Sequence, residues 1–369
     1  MSGSSAPARP HPAAAGGEDP RWHREREAVE ALLARAREHG DPATLAEAVR
    51  RCEAGLLPLV DAAADPVCWA QAQQLLGRAL TLQGRRQLGT HALERAVTEL
   101  ERALAPLHRD AAPLDWAATQ HELGRALALL ARRRADTDML ERAVAAFRAA
   151  LEERTFEATP EVWALTQNDL GTALVTLGRH RDDKTLLKQA ADAYRAALRV
   201  WTRDRVPLDW AATMDNLGTA LRLLGERRKG PRTLEQAVAA YRSALSERTR
   251  ERAPEAWALT QNNLGTALHR LGERVAEPRH LEAAIEAYGE ALAVWTRERD
   301  PFTWAMTEAN RCAACKALAE VTGDPEPARA ALAGYRAVAE VFREASHPQY
   351  YELAVEQIAL TAKLEQRLR

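Results

Sequence analysis

A large aromatic residue recurs every 47 residues along most of this 369-residue chain. The series is Trp22, Trp69, Trp116, Trp163, Trp210, Trp257 and Trp304, and Tyr351 continues it. A fixed period of this length is the signature of a repeat architecture, in which each unit packs only against its neighbours. The period therefore restricts the chain to folds built from one repeated unit.

A proline lies two or three residues before each of these aromatic residues. Proline suits the first turn of a helix, where its missing N–H has no partner to lose. Each aromatic residue is therefore predicted to lie in the first turn of a helix, which we call helix A. A glycine just past a helix is the usual left-handed cap. We expect helix A to run about fifteen residues and often to end at a glycine. The glycines at this point are Gly84, Gly178, Gly225 and Gly272.

A second helix, helix B, is predicted to begin near a leucine that also recurs in each unit. These leucines are Leu93, Leu140, Leu187, Leu234 and Leu281. Within it, small and aromatic residues such as Ala190, Tyr194 and Ala197 are spaced by four and three, which places them on one helix face. The repeated unit is therefore a helix, a loop and a second helix.

The Leu170-Gly171 pair in helix A, followed by Ala190, Tyr194 and Ala197 in helix B, resembles the tetratricopeptide repeat (TPR) family. The usual TPR unit has about 34 residues, and the longer unit resembles the kinesin-light-chain-like TPR arrays of bacteria. The resemblance implies an all-α fold, a right-handed α-solenoid of about seven helix–loop–helix TPR-like repeats plus a C-terminal capping helix. It also implies that one side of each helix A lines a concave groove.

The corresponding domain prediction has three parts. Residues 1–19, rich in Pro, Gly, Ala and Ser, are expected to be a disordered leader. Residues 20–347 are expected to form seven repeats in one superhelical array, and residues 348–369 a C-terminal capping helix.

A helical wheel divides helix A of the sixth repeat into two sides. Leu264, Gly265 and Leu268 fall on the side that packs on helix B, whereas Asn262 and Asn263 fall on the groove side. The equivalent positions of other repeats complete a set of candidate peptide-binding residues in the groove: Asn168, Asp215, Asn216, Asn262, Asn263 and Asn310. An amide both donates and accepts, which matches the N–H and C=O groups of a peptide backbone.

Basic residues accompany this row and could bind acidic groups or a C-terminal carboxylate. They are Arg78, Arg125, Arg222, His269 and Lys316. The alternative is that these polar residues are only solvated, because duplication alone copies an exposed asparagine from one repeat to the next. Both interpretations remain open at the level of sequence.

Other features argue against catalysis. Cys312 and Cys315 form a CxxC, but both occupy core positions and no second pair completes a metal site, so we predict packing residues. His121 and His269 are expected to face the groove without a carboxylate and nucleophile beside them. Since no nucleotide-binding, metalloprotease or serine-hydrolase motif occurs, the sequence predicts no catalytic residues, cofactor or metal.

Composition limits the partners and the compartment. The formal net charge is −1, so no global field attracts nucleic acid or an anionic membrane. No window is apolar for long enough to span a bilayer, and four scattered cysteines do not make a secreted disulfide framework. These features predict a soluble, cytoplasmic protein.

The leading functional hypothesis is a non-catalytic protein–protein interaction scaffold or adaptor that binds an extended peptide segment in the concave groove. The alternative is a regulatory TPR module that senses a ligand or peptide and controls a partner effector enzyme. A third hypothesis is an enzyme that uses the groove. Self-association into a homo-oligomer is a further option.

Overall fold

The computed structural model describes residues 19–39 and 41–369, and within them it contains fifteen α-helices. The predicted disordered leader lies outside the described residues except for Asp19. A short π-helix, Cys52–Leu56, and a 3-10 helix, Leu57–Leu59, follow the second α-helix. The described part of the chain is all-α, as the periodicity predicts.

Eight of the helices begin at the prolines of the repeat and correspond to helix A. They are α1 (Pro20–His39), α3 (Pro66–Arg86), α5 (Pro113–Arg134), α7 (Pro160–His180), α9 (Pro207–Glu226), α11 (Pro254–Val275), α13 (Pro301–Thr322) and α15 (Pro348–Leu368). The prediction that proline marks the first turn of each helix A is confirmed.

The other seven α-helices correspond to helix B. They are α2 (Pro42–Arg51), α4 (His91–Leu104), α6 (Thr137–Glu153), α8 (Lys184–Ala197), α10 (Arg232–Leu245), α12 (Pro278–Leu292) and α14 (Pro325–Glu344). Several begin after an aspartate whose carboxylate accepts from backbone N–H groups of the first turn, as Asp136 does for α6 and Asp183 for α8.

The predicted end of helix A is wrong. The A helices are 20 to 22 residues long, so the glycines taken as caps lie inside them. A Cβ atom added at Gly84 would lie 2.6 Å from the side chain of Leu93, and one at Gly272 would lie 2.7 Å from Leu281. These glycines are needed for the close approach of helix B rather than for a turn. A left-handed residue does end some A helices, for example Ala135 after α5.

The chain consists of two compact units, of which the first ends at Leu177 and the second is Gly178–Arg369. In each unit a helix packs mainly on the next helix in sequence. The glycine of the Leu-Gly pair lies under the aromatic ring of helix B, as Gly124 does under Phe147 and Gly265 under Tyr288. The fold is therefore an α-solenoid of two-helix units. That residues 20–347 form one array with a separate cap at 348–369 stays a prediction.

Three of the cysteines occupy buried positions in the core. Cys312 and Cys315 are buried and contact Tyr335 of α14, and Cys52 is fully buried. Burial raises the pKa of the Cys52 thiol to about 12, so the reactive thiolate is suppressed. The prediction that Cys312 and Cys315 fill core positions is confirmed.

Candidate functional site on the A-helix face

In the second unit, each A helix contacts the next A helix: α9 contacts α11, α11 contacts α13, and α13 contacts α15. Equivalent residues of neighbouring repeats therefore lie side by side. We call the A-helix face the surface formed by Leu259, Asn262, Asn263 and Thr266 of α11 and by their counterparts 47 residues away. Most of the predicted peptide-binding residues lie on this face of the second unit. Asn168 belongs to the first unit.

An amide row runs across this face, formed by Asn216, Asn263 and Asn310, all of which are half-buried. Asn263 Nδ2 donates to Asp215 Oδ1 of the preceding A helix at 3.4 Å, and Asn310 Nδ2 donates to Asn262 Oδ1 at 3.5 Å. The same cross-helix contact is thus made twice. At these lengths the hydrogen bonds are weak, and each NH2 group retains a second hydrogen.

Asp215 does not lie on the exposed part of this face. Its side chain is buried, and its carboxylate lies 3.7 Å from Arg248. Burial raises the pKa of Asp215, while Arg248 and hydrogen bonds from Thr260 and Asn263 act in the opposite direction. Asp215 therefore accepts the hydrogen bond of Asn263 and neutralises the charge of Arg248. Direct contact between Asp215 and a peptide stays a prediction from sequence.

The predicted basic residues of the second unit contact neighbouring polar side chains. Arg222 Nη1 donates to Glu226 one turn away, and Lys316 Nζ donates to Gln357 Oε1 at 3.3 Å. His269 is 6% exposed, with Nε2 3.4 Å from Glu273, so the expectation that it lines the groove is wrong.

Sequence inspection missed an apolar row beside the amides. Leu259, Met306 and Leu353 are 45%, 37% and 56% exposed. Each lies four residues before Asn263, Asn310 or Gln357, on the same side of its helix and one turn away. Their common spacing of 47 residues was the available signal.

In the first unit, the predicted residues Arg78 and Arg125 flank a buried carboxylate. Arg78 Nε lies 3.5 Å from Glu122 Oε1, and Arg125 Nη1 lies 3.3 Å from Glu122 Oε2. Arg125 Nε also lies 3.7 Å from Asp169 Oδ2, and Asn168 Nδ2 contacts Asp169 Oδ1 at 3.4 Å. Burial raises the pKa of Asp169 to about 6, although Arg125 acts in the opposite direction.

His121 is buried below this network, so the expectation that it faces the groove is wrong. Its Nδ1 shares a hydrogen bond with Thr166 Oγ1 at 3.1 Å, and its ring packs edge-on against Phe147. Burial lowers the pKa of His121 to about 3, which keeps the ring neutral. Asp215 occupies the same position two repeats later, where Arg248 and Thr260 replace Arg154 and Thr166.

Across residues 19–39 and 41–369, no group of three or more His, Cys, Asp or Glu side chains is arranged to hold a metal ion. No helix of that same part of the chain is long and apolar enough to cross a membrane.

Stacked two-helix units with a row of half-buried amides place the chain among the α-solenoid repeat proteins. No protein-family model matches it, and no curated protein matches it. Among solved structures it is similar to the apo form of RapI, with a TM-score of 0.47, 10% identity, and coverage of 94% of this chain and 98% of that one.

Two other similar structures are complexes. The Rap conjugation gene regulator of plasmid pLS20 with the Phr* peptide has a TM-score of 0.35 and 14% identity, covering 92% of this chain and 95% of that one. The TPR2AB-domain:pHSP90 complex of yeast Sti1 has a TM-score of 0.27 and 16% identity, covering 78% and 98%. These similarities are too weak to carry a functional argument.

Proposed function

We propose that the protein is a non-catalytic interaction scaffold and that the A-helix face of its second unit binds an extended peptide. The observation that carries this proposal is the repeated cross-helix geometry of Asn263 and Asn310. Each amide is half-buried and makes a long hydrogen bond that a ligand backbone can replace with a shorter one. Backbone recognition of this kind accepts many ligand sequences.

The apolar row supplies the side-chain preference. Leu259, Met306 and Leu353 are exposed on successive A helices. A single exposed apolar residue is common on a protein surface, whereas a regular row of them indicates a contact surface. Packed helices lie about 8–10 Å apart, and an extended peptide advances about 3.1–3.3 Å per residue. One step between A helices therefore spans about three ligand residues, so we expect apolar side chains at every third position of the ligand.

The first test is the effect of the amides on affinity. Peptides are selected from a displayed random library with the full-length protein, and their affinities are measured by fluorescence anisotropy. We expect the triple variant Asn216→Ala, Asn263→Ala and Asn310→Ala to bind selected peptides at least about tenfold more weakly. Helicity and melting should change little, because the internal hydrogen bonds of Asn263 and Asn310 are long.

The matched control changes polar residues on the opposite helices. Gln236 of α10 and Glu290 of α12 are exposed on B helices, so Gln236→Ala with Glu290→Ala should leave peptide affinity unchanged. If the triple asparagine variant keeps the wild-type affinity for every selected peptide, the amide row is only a solvated surface.

The second test concerns the apolar row. Met306→Glu places a charge beside the proposed apolar side chains of the ligand, so we expect affinity to fall at least about tenfold. The side chain is 37% exposed, and the free energy of unfolding should change by less than about 0.5 kcal/mol. Two outcomes together would contradict a role of the apolar row in binding. The selected peptides would lack an apolar residue at every third position, and the Met306→Glu variant would bind them as tightly as the wild type.

A further inference from the structure

A separate cavity of about 530 Å³ opens on the A helices of the first unit. Its charged lining consists of Arg85 from α3, Arg125, Arg132 and Arg133 from α5, and Asp169 from α7. Four guanidinium groups thus surround one carboxylate. A volume of this size falls within the usual range of small-molecule sites.

The positive charge of this cavity is only partly compensated. Arg125 lies near Glu122 and Asp169, and Arg133 donates to the carbonyl oxygen of Gly89. Within the described residues, neither Arg85 nor Arg132 forms an ion pair. Desolvation lowers the pKa of Arg85, and the positive charges of Arg125, Arg86 and Arg132 lower it further, while Asp169 acts in the opposite direction.

The second unit shows that this charge is not a general property of the fold. At the helix position of Arg85 and Arg132, the fourth repeat carries Arg179, and the fifth to seventh repeats carry Glu226, Glu273 and Glu320. There Glu226 accepts a hydrogen bond from Arg222, and Glu273 accepts one from Arg270. Each of these glutamates is therefore neutralised by an arginine of its own helix. The charge at this position therefore changes sign after the fourth repeat, and Arg85 and Arg132 are the two arginines of this series that line the cavity.

We propose that this cavity binds a small molecule that carries phosphoryl groups. A guanidinium presents a planar fork of donors that matches the oxygens of a phosphate, and Arg85 and Arg132 reach the cavity from two different helices. The wall between them includes Ala128 and Leu129, which would contact the uncharged part of the ligand. An acidic peptide is the competing ligand class, and the experiment below separates the two.

Asp169 makes the site sensitive to pH. The groups that face it are Arg85 of α3, the neutral His121 together with Glu122 and Arg125 of α5, and Asn168 of its own helix. A bound anion disfavours the ionised form of Asp169, so binding takes up a proton. Affinity should therefore rise as the pH falls toward about 6 and level off below that value.

The test is isothermal titration of the full-length protein with inorganic pyrophosphate at fixed ionic strength, with hexaglutamate in a parallel titration. We expect one pyrophosphate site, and we expect Arg85→Gln with Arg132→Gln to weaken it at least about tenfold. Both residues are exposed, so the fold should be retained, which circular dichroism checks. Arg134→Gln removes one positive charge from α5 outside the cavity and should leave affinity unchanged.

Asp169→Asn supplies the second arm. Since the protonation of pyrophosphate is the same in both titrations, the difference between wild type and variant isolates Asp169. The variant should bind more tightly at about pH 7.5 and equally at about pH 5. Absence of pyrophosphate binding, equal affinity in the double arginine variant, or binding of hexaglutamate alone would overturn the proposal. Peptide binding by the second unit is measured separately and does not depend on these outcomes.

Discussion

Gly265→Ala is expected to destabilise the second unit by about 1–3 kcal/mol, although alanine is the better helix former. A Cβ atom at this position would lie 2.9 Å from the ring of Tyr288. That ring is almost fully buried and its hydroxyl donates to Thr266 Oγ1 at 3.1 Å, so it has little freedom to move. Overpacking of such a contact must shift α12 away from α11.

Gly289 provides the matched control, because it lies in α12 with no heavy atom within 4 Å of an added Cβ. Gly289→Ala should therefore stabilise the protein by about 0.5–1 kcal/mol through helix propensity alone. Chemical denaturation followed by circular dichroism measures both variants. Equal and stabilising effects would show that the Leu-Gly pair is not needed for the approach of helix B.

Arg248→Met is expected to destabilise the second unit by about 3 kcal/mol, the usual cost of leaving a buried charge without its partner. The side chains of Arg248 and Asp215 are 14% and 8% exposed, and their charged groups lie 3.7 Å apart. Arg248 Nη1 also donates to Thr260 Oγ1 at 2.8 Å. Methionine keeps much of the length of the arginine side chain, so the substitution removes the positive charge with little loss of packing.

Two measurements separate this explanation from a loss of packing. Adding Asp215→Asn to Arg248→Met should recover most of the lost stability, because no buried charge remains. Without Arg248, the folded-state pKa of Asp215 lies further above its unfolded value, so stability is lost as the pH rises between the two values. The defect should therefore be largest near neutral pH and shrink below about pH 4. A defect that is constant with pH, and unchanged in the double variant, would contradict the charge-based explanation.

The helices were predictable from sequence because their signals are local. The prolines before Trp116 or Trp257 mark the first turn of a helix whatever the tertiary structure around them. The length of helix A was not predictable in this way. A glycine such as Gly84 is compatible with a cap or with a close helix contact, and its contact, Leu93, lies in a different helix.

The candidate site was predictable only in part for a similar reason. A helical wheel gives the direction of His121 and His269 but not how closely the surrounding residues cover them, and both side chains are buried. Charge compensation also depends on neighbours, as the contact between Arg222 and Glu226 shows. The cavity containing Arg85 and Arg132 requires two helices to be placed together.

The most direct test of the peptide-binding proposal is a crystal structure of the full-length protein with the tightest library-selected peptide. We expect an extended peptide on the A-helix face of the second unit, with backbone N–H and C=O groups within hydrogen-bond distance of Asn263 and Asn310. Its apolar side chains should contact Leu259 and Met306. A peptide bound on the B helices, or one that leaves both asparagines in their present contacts, would contradict the account.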